Sequence, residues 1–561
     1  MNKLMPPRFM EKDSENPEKY IEIPSNKPWM LEKPRDKKFG DWSCNIALVN
    51  AYIFKQSPRQ VAQTIVKNLN IPEGMIRQVE IAGPGFINFY INPNYWPSIL
   101  PEINAKGSNY GTLTLGQGQK VQVEFVSANP TGPLHVGHGR GAATGDSLAN
   151  LLAKAGFEVQ REYYTNDAGN QINLLGTSVY LRYKELLGQS ITFIENGYKG
   201  DYIRDIAQEI IAKDADKWLD VPDLEGIAFC GKYAGDKILE EIRLDLLRFN
   251  VKFDRWFSER SLYTQGEVDK AIEQMRQTGH IILRDGAWWL VSTGYGDEKD
   301  RVVIRQTGEP TYLASDIAYH WDKIQRGFNK IIDIWGADHH GYVARIFAAV
   351  QAMNYPASNL EVILIQLVRL LRDGVPVAMS TRQAEYVTLE EVVAEVGKDA
   401  ARFFFMTRRH DSQLDFDLEL AKKQSAENPV YYVQYAHARI CSVFAKAAEA
   451  KIDFPSSDEA DLSLLNLEPE LELMQKLAEF PSLVAGAARA REPHRFTFYC
   501  RDLAALLHRY YNKHRIADKD NLKLSQARLF LVNAVKIVLA ESLRILGVSA
   551  PENMKYQEGV E

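Results

Sequence analysis

The chain is 561 residues long, with 45% hydrophobic and 25% charged side chains and a formal net charge of -6. That composition excludes a disordered chain and leaves room for three or four domains with cores of their own. The slightly negative balance excludes a global electrostatic pull on nucleic acid, so any such binding has to come from local patches.

Residues 1–115 are irregular and Pro-rich at first. They then carry a helical pattern (Ile46, Leu48, Val49, Ile53, then Val61, Ile65, Val66) and a strand pattern over Ile81 to Ile91 that turns at Gly83-Pro84-Gly85. This predicts a small appended α+β domain. The alternating run Val121 to Val126 starts a new unit. A strand over 121–126, a helix over about 139–155 with apolar Leu148, Leu151 and Leu152, and a strand over about 157–164 follow one another. That order is the βαβ grammar of a Rossmann-type parallel sheet. The sheet is placed in 116–175 and 300–370, where it resumes at Ile331 to Trp335 and near Leu360 to Val368. Between them, 176–299 reads as an insertion of Asp-, Lys- and Glu-rich helices with a hairpin around Gly286-Ala-Trp-Trp-Leu. Residues 371–424 form a loop and stem region. From 425 to 561 only long helical patterns remain, such as Leu503, Leu506, Leu507, Tyr510 and Tyr511, which predicts an all-α helical bundle. The fold class is therefore multidomain α/β.

No uninterrupted apolar segment reaches the roughly 18 to 20 residues of a membrane span, and no charged start precedes an apolar run, so a cytosolic location without a membrane partner is expected. Cys44, Cys230, Cys441 and Cys500 lie far apart and make no CxxC or Cys/His cluster. They read as buried thiols, and no tightly bound protein metal is expected.

Residues 127–141 read SANPTGPLHVGHGRG. A Gly-rich turn at the carboxyl end of a first parallel strand, opening a helix, offers free backbone N–H groups and a helix dipole where phosphates bind. His135 and His138 at the head of that helix are placed to donate hydrogen bonds to phosphates, and Gly137 leaves room for an adenine or ribose.

The tetrad His135-Val-Gly-His138 inside Ser127-Ala-Asn-Pro-Thr-Gly-Pro-Leu-His-Val-Gly-His resembles the first signature of class I aminoacyl-tRNA synthetases, and the words around it resemble the arginyl enzymes. Similar strings are Glu162-Tyr-Tyr-Thr-Asn-Asp-Ala-Gly-Asn-Gln171, Thr311-Tyr-Leu-Ala-Ser-Asp-Ile-Ala-Tyr-His320, Gly336-Ala-Asp-His-His-Gly-Tyr342 and Asn428-Pro-Val-Tyr-Tyr-Val-Gln-Tyr-Ala-His-Ala-Arg439. They span most of the chain, whereas a lone His-x-Gly-His would be weak. The resemblance implies ligation of L-arginine to tRNA. ATP, as its Mg2+ complex, first yields arginyl-adenylate and pyrophosphate, and the aminoacyl group then passes to the terminal ribose. Phosphoryl displacement asks mainly for positioning and charge stabilisation.

By resemblance, His135, Gly137 and His138 bind ATP, with the two histidines acting on its phosphates. Asp338 suits a sugar hydroxyl or a substrate amine, or else caps a helix. A guanidinium is planar, permanently charged and carries five donors, so its pocket should offer carboxylates and an aromatic surface. Glu124, Tyr312 and Asp316 are the candidates, Tyr312 and Asp316 sharing a helix face at i, i+4, while Ser127 and Asn129 match the residues that hold the backbone end. Read singly, each is as well a surface acid or a core tyrosine.

One stretch departs from the family. The second signature, a loop with two lysines, aligns with Val377-Ala378-Met379-Ser380-Thr381-Arg382, so both lysines are replaced, by Ala378 and Thr381. Some arginyl enzymes carry a compensating lysine just before the first signature, but the aligned position here is Gly132. Arg382 is the nearest cation and the candidate catalytic substitute, with Met379 and Ser380 beside it at ATP and Lys120 and Arg140 as distant alternatives. Loss of a phosphate-clamping charge is worth on the order of 3 kcal/mol, about a hundredfold in rate. A catalytically impaired tRNA-binding paralogue is therefore the alternative reading.

RNA contact is expected at both ends of the chain. Arg495, Arg501, Tyr510, Tyr511 and Lys513 interleave cations with aromatics that stack on unpaired bases, or else form a solvated face over a tyrosine-rich core. By resemblance the bundle reads the anticodon. The N-terminal domain, with Asp41-Trp-Ser-Cys-Asn45 and Gly85-Phe-Ile-Asn-Phe-Tyr90, touches the tRNA elbow. A monomer is expected.

Overall fold

The computed structural model describes residues 9–12, 20–23, 29–34, 36–377 and 387–554. The chain divides into two compact units, cut between Tyr110 and Gly111 and again within each of the four long C-terminal helices.

The first unit is built on an antiparallel four-stranded sheet in the order Leu31–Glu32, Trp42–Cys44, Phe86–Ile91, Ile76–Ala82. The hairpin predicted at Gly83-Pro84-Gly85 joins the last two, with both glycines at positive φ, 52° and 149°. The helix Pro58–Lys67 starts where Ser57 and Gln60 close a reciprocal capping box with Pro58 at the first position. Ile46, Ala47 and Val61 seal the core against Ile87.

The second unit contains the parallel sheet. Its strands are β1 (Lys120–Glu124), β2 (Glu158–Thr165), β3 (Arg255–Ser258), β4 (Lys330–Gly336) and β5 (Leu360–Ile365), ordered β5-β4-β1-β2-β3 and parallel throughout. β1 is central, so Val121, Val123 and the adjoining Phe125 are buried, as expected of a strand covered on both faces. Each such side chain stabilises by about 1.5–3 kcal/mol. Helix α1 (Val136–Lys154) follows β1 and packs so closely that a Cβ on Gly145 would lie 2.2 Å from Cγ of Phe125. Strand order reverses at β1, with β2 on one side and β4 on the other, which opens the crevice where ligands bind in such sheets.

Helices α2 (Asn170–Leu186), α3 (Asp201–Asp214) and α4 (Asp223–Arg248) occupy the first half of the stretch read as an insertion, α2 beginning just before it. Within that same stretch β3 belongs to the catalytic sheet, although its four residues carry no readable alternation. The predicted hairpin is present as Ile281–Arg284 and Ala287–Leu290, with Arg301–Ile304 as third strand. Helix α5 (Tyr312–Gln325) leads into β4. The helical C-terminal region consists of α6 (Pro429–Glu449), α7 (Glu468–Ala490), α8 (Arg495–Lys513) and α9 (Leu522–Ile545). Among the described residues no helix is long and apolar enough to cross a membrane. Among the described residues no disulfide joins the four cysteines; Cys44, Cys230 and Cys500 are buried, while Cys441 is half-buried.

Candidate active site

β1 ends in a bend that most residues avoid. Val126 and Ser127 have φ of 67° and 41°, a left-handed conformation that is costly for non-glycine and especially for β-branched residues. The surrounding bonds over-determine it. Ser127 Oγ donates to Glu124 Oε1 (2.9 Å) and accepts from the Tyr164 amide (3.1 Å). Tyr163 donates to the Ala128 carbonyl (2.8 Å), and Tyr202 of α3 donates to that of Thr131 (2.7 Å). Asn129 Nδ2 donates to Gln171 Oε1 (2.6 Å).

The loop delivers His135 as the N-cap of α1. His135 Nδ1 accepts from the amides of Gly137 (3.1 Å) and His138 (3.4 Å), and His138 Nδ1 accepts from the amide of His135 (3.2 Å). The rings stack with centroids 3.7 Å apart. An Nδ1 that accepts leaves the hydrogen on Nε2, so both rings are neutral donors through Nε2. Burial pushes His138 down to about 3, with His135 adding to the effect. Burial also lowers His135, against the opposing charge of Asp338. Gly137 is needed for these rings, since a Cβ there would meet His135 Cε1 at 2.9 Å. The space read as room for adenine or ribose is thus occupied by imidazole on that side.

Asp338, exposed in the turn Ala337–Tyr342 after β4, stands near enough for its charge to act on His135. Met379, Ser380 and Arg382, like Ala378 and Thr381, lie outside the described residues. The chain that follows them is tied to the first signature: Val136 N donates to Val387 O (3.3 Å) and Leu389 N to Leu134 O (2.7 Å). Neither distant cation fits the missing lysines. Arg140 is fully buried and holds the carbonyls of Gln366 and Arg409 (2.7 and 2.9 Å), and Lys120 starts β1, at the end of the strand away from the histidines.

At the carboxyl ends of β1 and β4 lies a cavity of about 430 Å³. Glu124, Ser127, Asn129, Tyr312 and Asp316 all line it. Sequence reasoning missed Glu259, at the carboxyl end of β3, and assigned no role to Tyr164, Trp335 or Tyr342 in the same lining. Only recognition of β3 as a sheet strand would have pointed to Glu259. Three carboxylates face this space. Burial raises Glu124, against the pull of Lys323, and raises Asp316, which accepts a hydrogen bond from Tyr342. Burial likewise raises Glu259, with Ser315 and Tyr164 close enough to oppose the shift. Acids kept in a dry site against their tendency to protonate suit a cation rich in donors. Among the described residues no group of three or more His, Cys, Asp or Glu is gathered for a metal ion.

The cations expected to meet RNA divide on exposure. Arg501 and Lys513 on α8 are exposed, and Arg495 is exposed but ion-paired with Glu492. Tyr511 is half-buried. Tyr510 is a correction: it is fully buried and donates to Glu470 Oε1 (2.8 Å), so it is core and its ring is closed to a base. The two N-terminal strings meet in one sheet, where Trp42–Cys44 pairs with Phe86–Ile91.

Three family models match the chain: an arginyl tRNA synthetase N-terminal domain over residues 17–91, a class I (R) tRNA synthetase catalytic domain over 100–442, and a DALR anticodon-binding domain over 433–554. The chain is 55% identical to an arginine–tRNA ligase of Citrifermentans bemidjiense, covering 93% of this chain and 94% of that one. It is 50% identical to one of Geobacillus kaustophilus, covering 94% of each. Among solved structures it matches the arginyl-tRNA synthetase of Thermus thermophilus at 23% identity, with a TM-score of 0.74 over 94% of this chain and 96% of that one.

Proposed function

The chain belongs to the class I arginyl-tRNA synthetases, and from that premise we propose how its residues divide the work. It is an ATP-dependent, AMP-forming ligase that joins L-arginine to tRNA. An α-carboxylate oxygen of arginine attacks the α-phosphorus of ATP. The bond from that phosphorus to its bridging oxygen breaks, and pyrophosphate leaves with the electron pair. A hydroxyl of the terminal ribose then attacks the activated carbonyl, AMP leaves, and the hydroxyl proton is released. The comparisons lend no support to a catalytically impaired relative.

One observation carries the site reading. A cavity with three carboxylates and aromatic walls opens at the end of β1, and the loop that leaves that end carries two neutral histidines to a helix N-terminus. Glu124, Tyr312 and Asp316, joined by Glu259, are read as receiving the guanidinium, with Ser127 and Asn129 at the amino acid's backbone end. A lysine ammonium would leave buried acceptors half satisfied, at a cost of about 1–3 kcal/mol each. His135 and His138 donate through Nε2 to the phosphates of Mg2+-ATP as charge develops there. Gly137, Asp338, Met379 and Ser380 complete the nucleotide contacts, and Arg382 stands in for the missing loop lysines. Arg495, Arg501, Tyr511 and Lys513 of the helical region of 425–561 are assigned to the tRNA, with 1–115 as the elbow domain, 116–175 and 300–370 together with β3 and Glu259 as the catalytic domain and 371–424 as the stem. Monomeric action in the cytoplasm, where arginine, ATP and tRNA are met, completes the reading.

The test is arginine-dependent exchange of labelled pyrophosphate into ATP, run with and without arginine-accepting tRNA and with lysine as control. Exchange is expected with arginine alone of the two amino acids. Equal exchange with lysine would overturn the assignment of the cavity, and none under any condition, with tRNA still bound, would overturn the roles given to the histidines and Arg382.

A further inference from the structure

Below the cavity sits a cation that neither the reaction nor the site reading has used. Lys323, on α5, is fully buried, and its Nζ donates to Glu124 Oε2 (2.6 Å) and to Asp333 Oδ1 (2.7 Å). Glu124 is thereby held at both oxygens, since Oε1 accepts from Ser127. The second oxygen of Asp333 lies 3.0 Å from His320 Nε2, while His320 Nδ1 faces the Asp316 carbonyl at 2.8 Å. Tyr312, Asp316, His320 and Lys323 recur at helical spacing, so one face of α5 runs from the cavity lining to the cation behind it.

Packing does not require this charge. A buried ion pair replaced by apolar side chains of similar volume often costs nothing in stability, so its place here calls for another reason. Glu124, Asp316, Asp333 and Glu259 crowd one region, and like charges so close disfavour joint ionisation. We propose that Lys323 is a positioning residue for arginine recognition: it holds the Glu124 carboxylate ionised and fixed, so that a cationic amino acid meets a preformed anion. The proposal rests on the reading that Glu124 contacts arginine. Consistent with it, burial pushes Glu124 up while Lys323 opposes, and Lys323 itself is raised by Asp333 and Glu124 in spite of its burial. The titratable groups that face Glu124 are Lys323, His320 and Tyr319 of α5, Asp333 of β4 and Tyr164 of β2.

The test compares the full chain with its Lys323→Met, Lys323→Gln and Glu124→Gln variants. Aminoacylation is measured from pH 6 to 8 with arginine and ATP varied separately, and thermal melting monitors folding. Lys323→Met and Lys323→Gln are expected to raise the arginine KM tenfold or more while the ATP KM stays within twofold. Their arginine KM should fall as pH rises, because an unpaired Glu124 must first lose its proton; Glu124→Gln should raise it without that pH dependence. Folded Lys323 variants with an unchanged arginine KM, or with arginine and ATP KM raised alike and no new pH dependence, would overturn the proposal. If Glu124→Gln itself left the arginine KM unchanged, it is the placement of arginine at Glu124 that fails. Should both single Lys323 variants fail to fold, Glu124→Gln/Lys323→Met carries the test: a loss no greater than that of Glu124→Gln is expected, and additive losses would overturn the idea.

Discussion

The paired imidazoles of the first signature tie the chemistry of a phosphate site to the energetics of folding. Each uses Nδ1 to cap the helix, which fixes the tautomer and leaves a neutral Nε2–H as the remaining donor. Its cost shows in acid. The unfolded chain binds a proton at His138 near the ordinary histidine pKa of about 6.5, whereas the folded site resists it down to about 3. Between those limits the unfolded state holds more protons, so stability falls as pH falls below about 6.5. At pH 5 relative to pH 7 the loss from this one group is ~2 kcal/mol. Urea unfolding at the two pH values, compared between the wild-type chain and His138→Gln, should show a pH-dependent difference of that size. Equal pH dependence in both would mean the ring is protonated in the fold.

At the level of elements, the precision of the site comes from how closely α1 lies on β1. Gly145→Ala drives a methyl into the Phe125 ring, 2.2 Å from its Cγ, and overpacking of this kind costs about 1–3 kcal/mol. The variant should unfold at correspondingly lower urea, and its cost should shrink in a Phe125→Ala background, which removes Cγ and Cδ2 from the contact; an equal cost in both backgrounds would place the strain elsewhere. The same elements explain what the sequence disclosed. β1, α1, β2 and β4 were legible because a buried strand and an amphipathic helix each carry a strong period. β3 was not, since Arg255-Trp-Phe-Ser is four residues long and follows three helices that interrupt the alternation. Missing β3 hid Glu259, which follows its last residue. Tyr510 failed for another reason: neighbours on a helix point about 100° apart, and composition alone does not say which of Tyr510 and Tyr511 faces the core.

Across the whole molecule, 67 Lys and Arg stand against 73 Asp and Glu, so a polyanion meets no net attraction and must find its cations locally. Arg501, Arg509 and Lys513 stand exposed along α8, all within about 120° of one another around the helix at 100° per residue. Among the described residues Arg509 is engaged by an ion pair with Glu472 at 3.8 Å near the surface, which contributes little. If this face meets tRNA, each phosphate it neutralises releases counterions, and log K falls with log salt by about 0.7–0.9 per contact. Arg501→Ala/Lys513→Ala should weaken tRNA binding and flatten that salt slope by about 1 to 2, measured by filter binding over a salt series. Its arginine and ATP KM values should stay near wild type, because neither residue lines the amino acid cavity. An unchanged slope would move the RNA contact off α8, while a changed arginine KM would mean that RNA docking on this helix helps complete the catalytic site.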